Sequence, residues 1–264
     1  MPLKQSLSLM HRRDMQYRSE VVSVAGFVQQ IACSYLRHGY WWYVTGRIPA
    51  GKDAKVIDHK LVEKYGIGAS EWTRTRRKQL GQANLQYLRH DRFFAILATK
   101  GQHRFFDEEA ASIRDIRHVP LRYSGYSISY RRGGRTRQGA PDQRWHAHVE
   151  IERHVYLGIR AYLLELAVHR PVEKLAMEFY ELPFEPYAPI RRQLLNLWRA
   201  VNQARNAAGF TKLPVEVLPL RRRIVKPFDD SDDLGAATIT LTEPDLGASF
   251  AGSQDEHEPL QGPE

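Results

Sequence analysis

The sequence predicts an α+β fold in which a small antiparallel sheet domain precedes a helical C-terminal half. Up to about residue 150, short segments rich in aromatic and β-branched residues alternate with helical stretches, and beyond it the helical spacing of apolar residues dominates. The length of 264 residues suffices to bury the core of one large domain, or of a domain with a helical annex.

We expect four regions along the chain. A flexible arm covers residues 1–20, the sheet domain covers 21–150, and a helical region with a basic strap covers 151–228. Residues 229–264 are predicted to be a disordered acidic tail, because they contain ten Asp and Glu residues, no Lys or Arg and few aromatic residues.

The sheet domain is expected to begin with a helix over residues 21–36. The aromatic-rich segment 39–49 ends in a proline and favours a strand. Residues 54–66 place apolar side chains on one side and end in glycine, which predicts a short helix. The basic segment 71–82 has no clear preference.

A hairpin is expected next. Two strand-like segments, 83–88 and 92–99, flank the turn-like sequence Arg-His-Asp. Residues 105–118 have acidic residues at their start, which favours a helix, and residues 119–131 alternate like a strand. A Gly/Arg-rich loop then leads to another strand within residues 144–153.

The C-terminal half predicts three helices, over residues 153–169, 171–182 and 189–209. In the first of them Tyr162 falls on the apolar stripe, so we expect a core tyrosine. The buried stripe of the last helix is expected to contain Ile190, Leu194, Leu197 and Val201. The basic strap follows at residues 218–228.

Charge and cysteine content narrow the class of protein. The formal net charge is +9, but residues 1–228 carry 39 basic and 20 acidic residues, a formal charge of +19. Of these cations 29 are Arg, whose planar guanidinium suits phosphates and base edges, so nucleic acid is the leading partner. The alternative explanation for the excess of Arg is the codon usage of a GC-rich genome. The single Cys33 excludes an internal disulfide, and no apolar run reaches the length of a membrane helix, so we expect a cytoplasmic protein with no membrane partner.

Two cation clusters are expected to form a nucleic-acid surface. One is the sequence Trp-Thr-Arg-Thr-Arg-Arg-Lys, and the other is the Gly/Arg-rich loop, which lies near Tyr123, Tyr126 and Tyr130. The residues expected to bind nucleic acid are Arg74, Arg76, Arg77, Lys78, Arg89, Arg92, Arg131, Arg132, Arg135, Arg137, Arg144, Trp145, Arg192 and Arg199. The alternative is a solvated basic loop whose aromatic residues turn into the core.

The sequence Arg-Trp-His-Ala-His-Val-Glu places two histidines two residues apart. On a strand, His146 and His148 point to one face and could present both imidazoles to one divalent cation, Mg²⁺ or Mn²⁺. Tyr156 or Tyr162 on the following helix would then attack a phosphate in a metal-dependent nicking reaction. The alternative, favoured because His and Tyr are abundant in this chain, is a pair of half-exposed histidines and no cofactor.

The order of several segments resembles that of the REP-associated tyrosine transposases, which are HUH enzymes. Tyr43, Val44, Thr45 and Arg47 resemble a Tyr-x-Val-Thr-x-Arg pattern in the opening strand of that family, although here no residue separates Tyr from Val. Tyr162, on a helical segment that ends in His-Arg-Pro-Val, is the residue that matches the nucleophilic tyrosine. The resemblance covers about residues 40–172, and it implies a ferredoxin-like fold, a mobile-element origin and DNA as the ligand.

The same resemblance places the metal-binding histidine pair of the family within Arg-His-Asp-Arg-Phe-Phe-Ala-Ile-Leu. Phe93 and Ala95 stand there instead, and neither side chain can ligate a cation. The Asn of the family's Asn-Pro-Val pattern is absent as well. The resemblance therefore implies a nucleic-acid-binding protein whose metal site has been lost, with His146 and His148 on the strand before the tyrosine helix.

These observations lead to three alternative functions. The first is binding of single-stranded or hairpin DNA without catalysis. The second is an active metal-dependent nickase, and the third is a non-enzymatic adaptor that binds a partner protein, or a second copy of the chain, through the helical half. The acidic tail is expected either to compete with nucleic acid for the basic surface or to act only as a solubility tail.

Overall fold

The computed structural model of this protein describes residues 17–133 and 138–228, which form two antiparallel sheets and seven α-helices. This arrangement confirms the predicted α+β class. Arg135, Arg137, the predicted acidic tail and most of the predicted N-terminal arm lie outside the described residues. No helix in the described ranges is long and apolar enough to cross a membrane.

Strands and helices alternate along the first half of the chain, and helices follow in the second half. Strands β1 to β7 comprise Trp42–Arg47, Leu85–His90, Phe93–Ala98, Arg114–Asp115, Leu121–Tyr123, Tyr126–Arg132 and Trp145–Ile151. Helices α1 to α7 comprise Val24–Gln29, Ala54–Lys64, Glu71–Gln79, Arg104–Glu108, Arg153–Ala167, Val172–Tyr180 and Ala188–Ala207. Helix α1 continues as a π-helical segment over Gln30–Tyr35 and a 3-10 turn over Leu36–His38, which together make up the first predicted helix.

The larger sheet has four strands in the order β2-β3-β1-β4, with every neighbouring pair antiparallel. Strands β2 and β3 form the predicted hairpin. Helices α2 and α3 connect β1 to β2, and α4 connects β3 to β4. The register aligns Leu85, Ala98, Trp42 and Asp115, so the start of β1 and the end of β4 lie at the same end of the sheet.

Each face of the larger sheet packs against a different hydrophobic core. Val44 and Ile96 point to a smaller core, which Phe105 of α4 completes. Ala95 points the other way, to a larger core that contains Phe27 of α1. Because successive side chains of a strand alternate between the faces, helical residues cover both sides of this sheet.

The smaller sheet has three strands in the order β5-β6-β7. A tight turn joins β5 to β6 at Ser124 and Gly125, whose φ angles are 46° and 79°. Positive φ at both central positions is typical of the hairpin turn that matches strand twist. The paired side chains of Ile128 and Val149 are fully buried in the larger core, so this sheet and the larger sheet share that core.

The three C-terminal helices agree with the sequence prediction. All four residues of the predicted stripe of α7 are buried, and they join residues of both sheets in the larger core. Helix α7 also meets β7 through Gln193. Its side-chain amide accepts a hydrogen bond from Ile151 N at 2.8 Å and donates one to Ile151 O at 3.0 Å.

Three predicted features are wrong. The helix expected over residues 105–118 ends at Glu108, and the short strand β4 follows it. The strand expected over residues 119–131 is the β5–β6 hairpin, because the backbone reverses at Ser124 and Gly125. The Tyr162 side chain is 48% exposed, since α5 turns Leu163 and Ala167 toward the core instead.

A buried polar network joins α2, β2 and the N-terminal segment. The Arg89 side chain, 3% exposed, donates from Nε to both carboxylate oxygens of Asp58 at 2.9 Å and pairs through Nη2 with Glu20 at 2.8 Å. Asp58 also accepts hydrogen bonds from the hydroxyls of Tyr87 and Ser19. Because each carboxylate oxygen has at least two donors, the charge is compensated inside the fold.

The replacement Arg89→Met tests this network. We expect it to lower the free energy of unfolding by about 3–5 kcal/mol, because the Asp58 carboxylate would stay buried without its cation. The measurement is urea unfolding followed by circular dichroism. The exposed pair of Arg104 and Glu108, 3.9 Å apart, provides the control, and Arg104→Met should leave the urea midpoint unchanged. Equal effects of the two replacements would contradict the prediction.

Candidate nucleic-acid interface

Four aromatic side chains and two guanidinium groups form a continuous stack where the two sheets end, and we call this cluster the aromatic ladder. Its members are Trp41, Trp42, Tyr130, Trp145, Arg117 and Arg132. The ring of Tyr130 stacks on Trp41 with centroids 6.0 Å apart and on Trp145 with centroids 5.7 Å apart. The guanidinium of Arg132 lies 5.2 Å from the centre of the Trp145 ring.

The register of β6 and β7 builds one half of the ladder. Arg132, the last residue of β6, pairs with Trp145, the first residue of β7, and Tyr130 pairs with Ala147. Alternation puts these side chains on the same face as the buried Ile128. This half of the ladder therefore lies on the core face of the smaller sheet, next to the last buried residues of that face.

Arg117 joins the two halves of the ladder. Its guanidinium carbon lies 4.4 Å from the centre of the Trp41 ring, 5.3 Å from Trp42 and 5.9 Å from Trp145. Asp115, at the end of β4, accepts hydrogen bonds from Arg117 Nε at 2.9 Å and Nη2 at 2.6 Å. These bonds raise the pKa of Arg117, so the guanidinium stays charged and oriented among the rings.

The four rings of the ladder are partly exposed, and three of them pack against a hydrophobic core. Trp41 and Tyr130 rest on the larger core and Trp42 rests on the smaller core. Trp41 Nε1 donates a hydrogen bond to Leu36 O at 3.1 Å, which fixes the orientation of that indole. Ordered rings beside guanidinium groups can stack on planar bases and attract phosphates.

The first predicted cation cluster is helix α3, which buries none of its side chains. Trp72 is 70% exposed, and the guanidinium of Arg76 lies 5.6 Å from the centre of its ring. Arg77 donates to Gly66 O at 3.0 Å, and Asn84 Nδ2 donates to Arg74 O at 2.8 Å, so two hydrogen bonds hold the helix on the domain. Within the described ranges, the ion pairs include none of the four cations between residues 74 and 78.

The segment around α4 feels the charge of α3 and contacts the ladder. Burial lowers the pKa of His103, and the positive charges of Arg77 and Arg104 act in the same direction. Phe106 of α4, three residues after His103, packs edge to face on Trp42 with centroids 6.0 Å apart. Phe106 therefore extends the ring contacts of the ladder to helix α4.

The second predicted cluster is only partly available to a polyanion. Arg144 makes two side-chain hydrogen bonds to Asp142, and Arg131 lies 3.7 Å from Glu150. Arg132 has no carboxylate partner among the described residues and stacks on Trp145. On α7, Arg192 and Arg199 are exposed, and Arg199 donates to Asn196 Oδ1.

Two of the predicted nucleic-acid residues instead hold the fold together. Arg89 is buried in the network with Asp58, so it cannot reach a ligand. Arg92 donates to the carbonyl oxygens of Pro49, at 2.6 Å, and of Lys52, at 3.2 Å, and these bonds hold the loop after β1. The assignment of Arg89 was wrong, because sequence does not show which arginines find internal acceptors. Arg92 is partly exposed, and its assignment stays a prediction.

Two of the three tyrosines near the predicted loop belong to the interior. The hydroxyl of buried Tyr126 donates to Pro183 O, and Tyr123 stacks on Phe93 with centroids 4.4 Å apart. Only Tyr130 joins the ladder. The alternative of aromatic residues turned into the core therefore applies to Tyr123 and Tyr126.

His146 and His148 share the outer face of β7, as predicted, but they have separate partners. His146 Nε2 lies 3.1 Å from Asp142 Oδ2, and His148 Nδ1 lies 3.9 Å from Glu150 Oε2. Across the described ranges, no three His, Cys, Asp or Glu side chains are arranged to hold a metal ion. At the position that the transposase resemblance assigns to the metal, Ala95 is buried and Phe93 packs on Tyr123.

The two candidate nucleophiles lie on α5. Tyr156 packs partly buried against the larger core, and the Tyr162 hydroxyl hydrogen bonds to Glu178 of α6 at 3.0 Å. That bond raises the pKa of Tyr162, which disfavours the phenolate form. No hydrogen bond joins either tyrosine to His146 or His148, all four of which are described. The metal-dependent nickase stays a prediction.

Sequence reasoning missed the half of the ladder that belongs to the larger sheet. Trp41, Trp42 and Arg117 were not candidates, although the doublet Trp41-Trp42 opens an aromatic strand and was a visible signal. Comparison of the chain with protein-family models, with curated proteins and with solved structures gave no match in any of the three.

Circular dichroism can test the ladder without any ligand. Stacked indole and phenol rings couple their electronic transitions, so we expect Trp145→Phe to change the near-ultraviolet spectrum strongly. Trp72→Phe is the matched control because that ring is exposed and stacks on no other aromatic ring among the described residues. Similar spectral changes in the two variants would contradict the stacked arrangement.

Proposed function

We propose that this protein binds single-stranded nucleic acid, with unpaired bases stacked on the aromatic ladder. The observation that carries the proposal is the ladder itself, in which four partly exposed rings contact one another and two guanidinium groups lie over them. In a duplex the base faces are hidden by neighbouring bases, whereas an unpaired base can stack on an aromatic side chain. Such a surface therefore favours single strands and loops.

The distribution of charge supports a polyanionic ligand. Residues 1–228 carry a formal charge of +19, and the cations of α3 together with Arg132 have no carboxylate partner among the described residues. Cations that are not neutralised internally can release the counterions of a phosphate backbone on binding. Phosphates on either side of a stacked base would lie within reach of such groups.

The fold supports a proposed ancestry among HUH proteins of mobile elements. The strand order β2-β3-β1-β4, with helical connections before and after the β2–β3 hairpin, is the order of the ferredoxin-like fold that the transposase resemblance implies. Phe93 and Ala95 of β3 stand where the resemblance places the metal-binding histidines of the family, and neither side chain can ligate a metal. We therefore propose binding of DNA or RNA without the metal-dependent nicking of that family.

The replacement Trp145→Ala tests the stacking. We expect the affinity for a single-stranded oligonucleotide to fall about 5-fold to 100-fold, because stacking on one aromatic side chain contributes about 1–3 kcal/mol per base. Fluorescence anisotropy of a labelled oligonucleotide measures the change. Tyr180→Ala removes an exposed ring of α6 and serves as the control. An unchanged affinity in Trp145→Ala would refute the proposal.

The salt dependence tests the contribution of charge separately. Arg132→Gln should reduce the slope of log affinity against log salt concentration by about 0.7, the value expected for one phosphate contact on a single strand. Arg160→Gln, which removes an exposed arginine of α5, should leave the slope unchanged. A slope that responds equally to both variants would indicate only a diffuse effect of net charge.

A further inference from the structure

The outer face of the β6–β7 hairpin, opposite to the ladder and the core, carries a cluster of titratable side chains. His146, His148 and Glu150 follow one another at every second position of β7. The register brings Arg131 of β6 opposite His146. We call this group of four side chains the outer-face cluster, and neither the ladder nor the core uses it.

The contacts within the outer-face cluster bring a carboxylate, an imidazole and a guanidinium together. Glu150 lies 3.9 Å from His148 Nδ1 and 3.7 Å from Arg131 Nη2. Between about a third and a half of each of the four side chains is exposed, so a ligand can reach them. The Nδ1 atom of His148 is itself buried and has no hydrogen-bond partner within the described part of the chain.

The two imidazoles occupy different surroundings. Burial lowers the pKa of His148, and the charges of Arg131 and of Arg192 on α7 act in the same direction against the opposing effect of Glu150. His146 instead contacts the carboxylate of Asp142, an acceptor to which a protonated imidazole can donate. A lowered pKa favours the neutral imidazole of His148, which suits it to accept a proton.

The spacing fits a phosphodiester. Side chains two residues apart on a strand lie about 6.7 Å apart, so two imidazoles can reach the oxygens on opposite sides of one phosphorus atom. Arg131, across from them, can pair with the non-bridging oxygens. Trp145 of the ladder and His146 are consecutive residues of the edge strand β7 that point to opposite faces, so a nucleic-acid strand stacked on the ladder would reach this face by passing around the edge of the sheet.

We propose that the outer-face cluster cleaves RNA by transesterification, with His148 as the general base, His146 as the general acid and Arg131 as the phosphate ligand. This inference rests on the proposed binding of single strands by the ladder and specifies RNA as the substrate class. Glu150 is a positioning residue whose negative charge attracts the Arg131 guanidinium and the protonated imidazole of His148. The 2′-hydroxyl of the substrate is the nucleophile, so the reaction involves no protein tyrosine.

The reaction balances without any co-reactant. The 2′-oxygen forms a bond to the adjacent phosphorus while its proton passes to His148. The bond between phosphorus and the 5′-oxygen breaks, and His146 gives its proton to that oxygen. The products are a 2′,3′-cyclic phosphate and a 5′-hydroxyl, and proton exchange with water restores both imidazoles.

The test uses the full chain and an oligodeoxynucleotide that contains one ribonucleotide, in excess EDTA. We expect cleavage only after the ribonucleotide, with a cyclic phosphate identified by mass spectrometry, and no cleavage of the all-DNA oligonucleotide. His146→Ala and His148→Ala should each slow cleavage about 100-fold or more, the range for loss of a general acid or base. His59→Ala, purified in the same way, removes an exposed histidine of α2 and should cleave at the normal rate.

Binding measured on the same samples separates the two proposals. His148→Ala and the more conservative His148→Gln should retain wild-type affinity for the oligonucleotide, which also shows that they fold, whereas Trp145→Ala should lose affinity. If the wild-type protein binds the chimeric strand and leaves it intact, or if the histidine variants cleave at the wild-type rate, the nuclease inference is wrong and the binding proposal stands. If the wild-type protein does not bind the strand, the binding proposal fails.

Discussion

The pairing register of β6 and β7 is the constraint on which both candidate surfaces depend. Successive residues of a strand point to opposite faces, so the register assigns Trp145 to the side of the core and His146 to the outside. A slip of one residue would exchange the two sets and bury the polar side chains. The buried pair Ile128 and Val149 holds the register, because neither residue can be moved to the solvent face without losing its burial in the larger core.

The ladder also depends on the larger sheet, which supplies Trp41, Trp42 and the guanidinium of Arg117. These groups come to the same place because the larger core contains residues of both sheets and because β1 and β4 are paired at this end. Asp115 then fixes the Arg117 guanidinium among the rings. Arg89 of β2 pairs with Asp58 of α2 and with Glu20, so these buried contacts hold α2 and the N-terminal segment against β2. None of the three residues belongs to the ladder.

Local patterns predicted most of the elements, and long-range pairing accounts for what they missed. The helical spacing of Ile190 and Leu194 was sufficient to predict α7. The shared face of His146 and His148 followed from the alternation of side chains along a strand. The ladder could not be predicted, since its tryptophans lie about a hundred residues apart and meet only through two sheets. Arg89 looked like a surface cation because its partner Asp58, 31 residues earlier, belongs to a helix that sequence cannot orient.

The pairing of Gln193 with Ile151 covers one position of an exposed sheet edge. Strand β7 is at the edge of its sheet, and edge strands present unpaired backbone groups to which another chain can add. The amide of Gln193 offers one acceptor and one donor, as a neighbouring peptide unit would, and occupies both backbone groups of Ile151. The side chain thus ends the sheet there by imitating one residue of an additional strand, without the proline or bulge that commonly blocks such an edge.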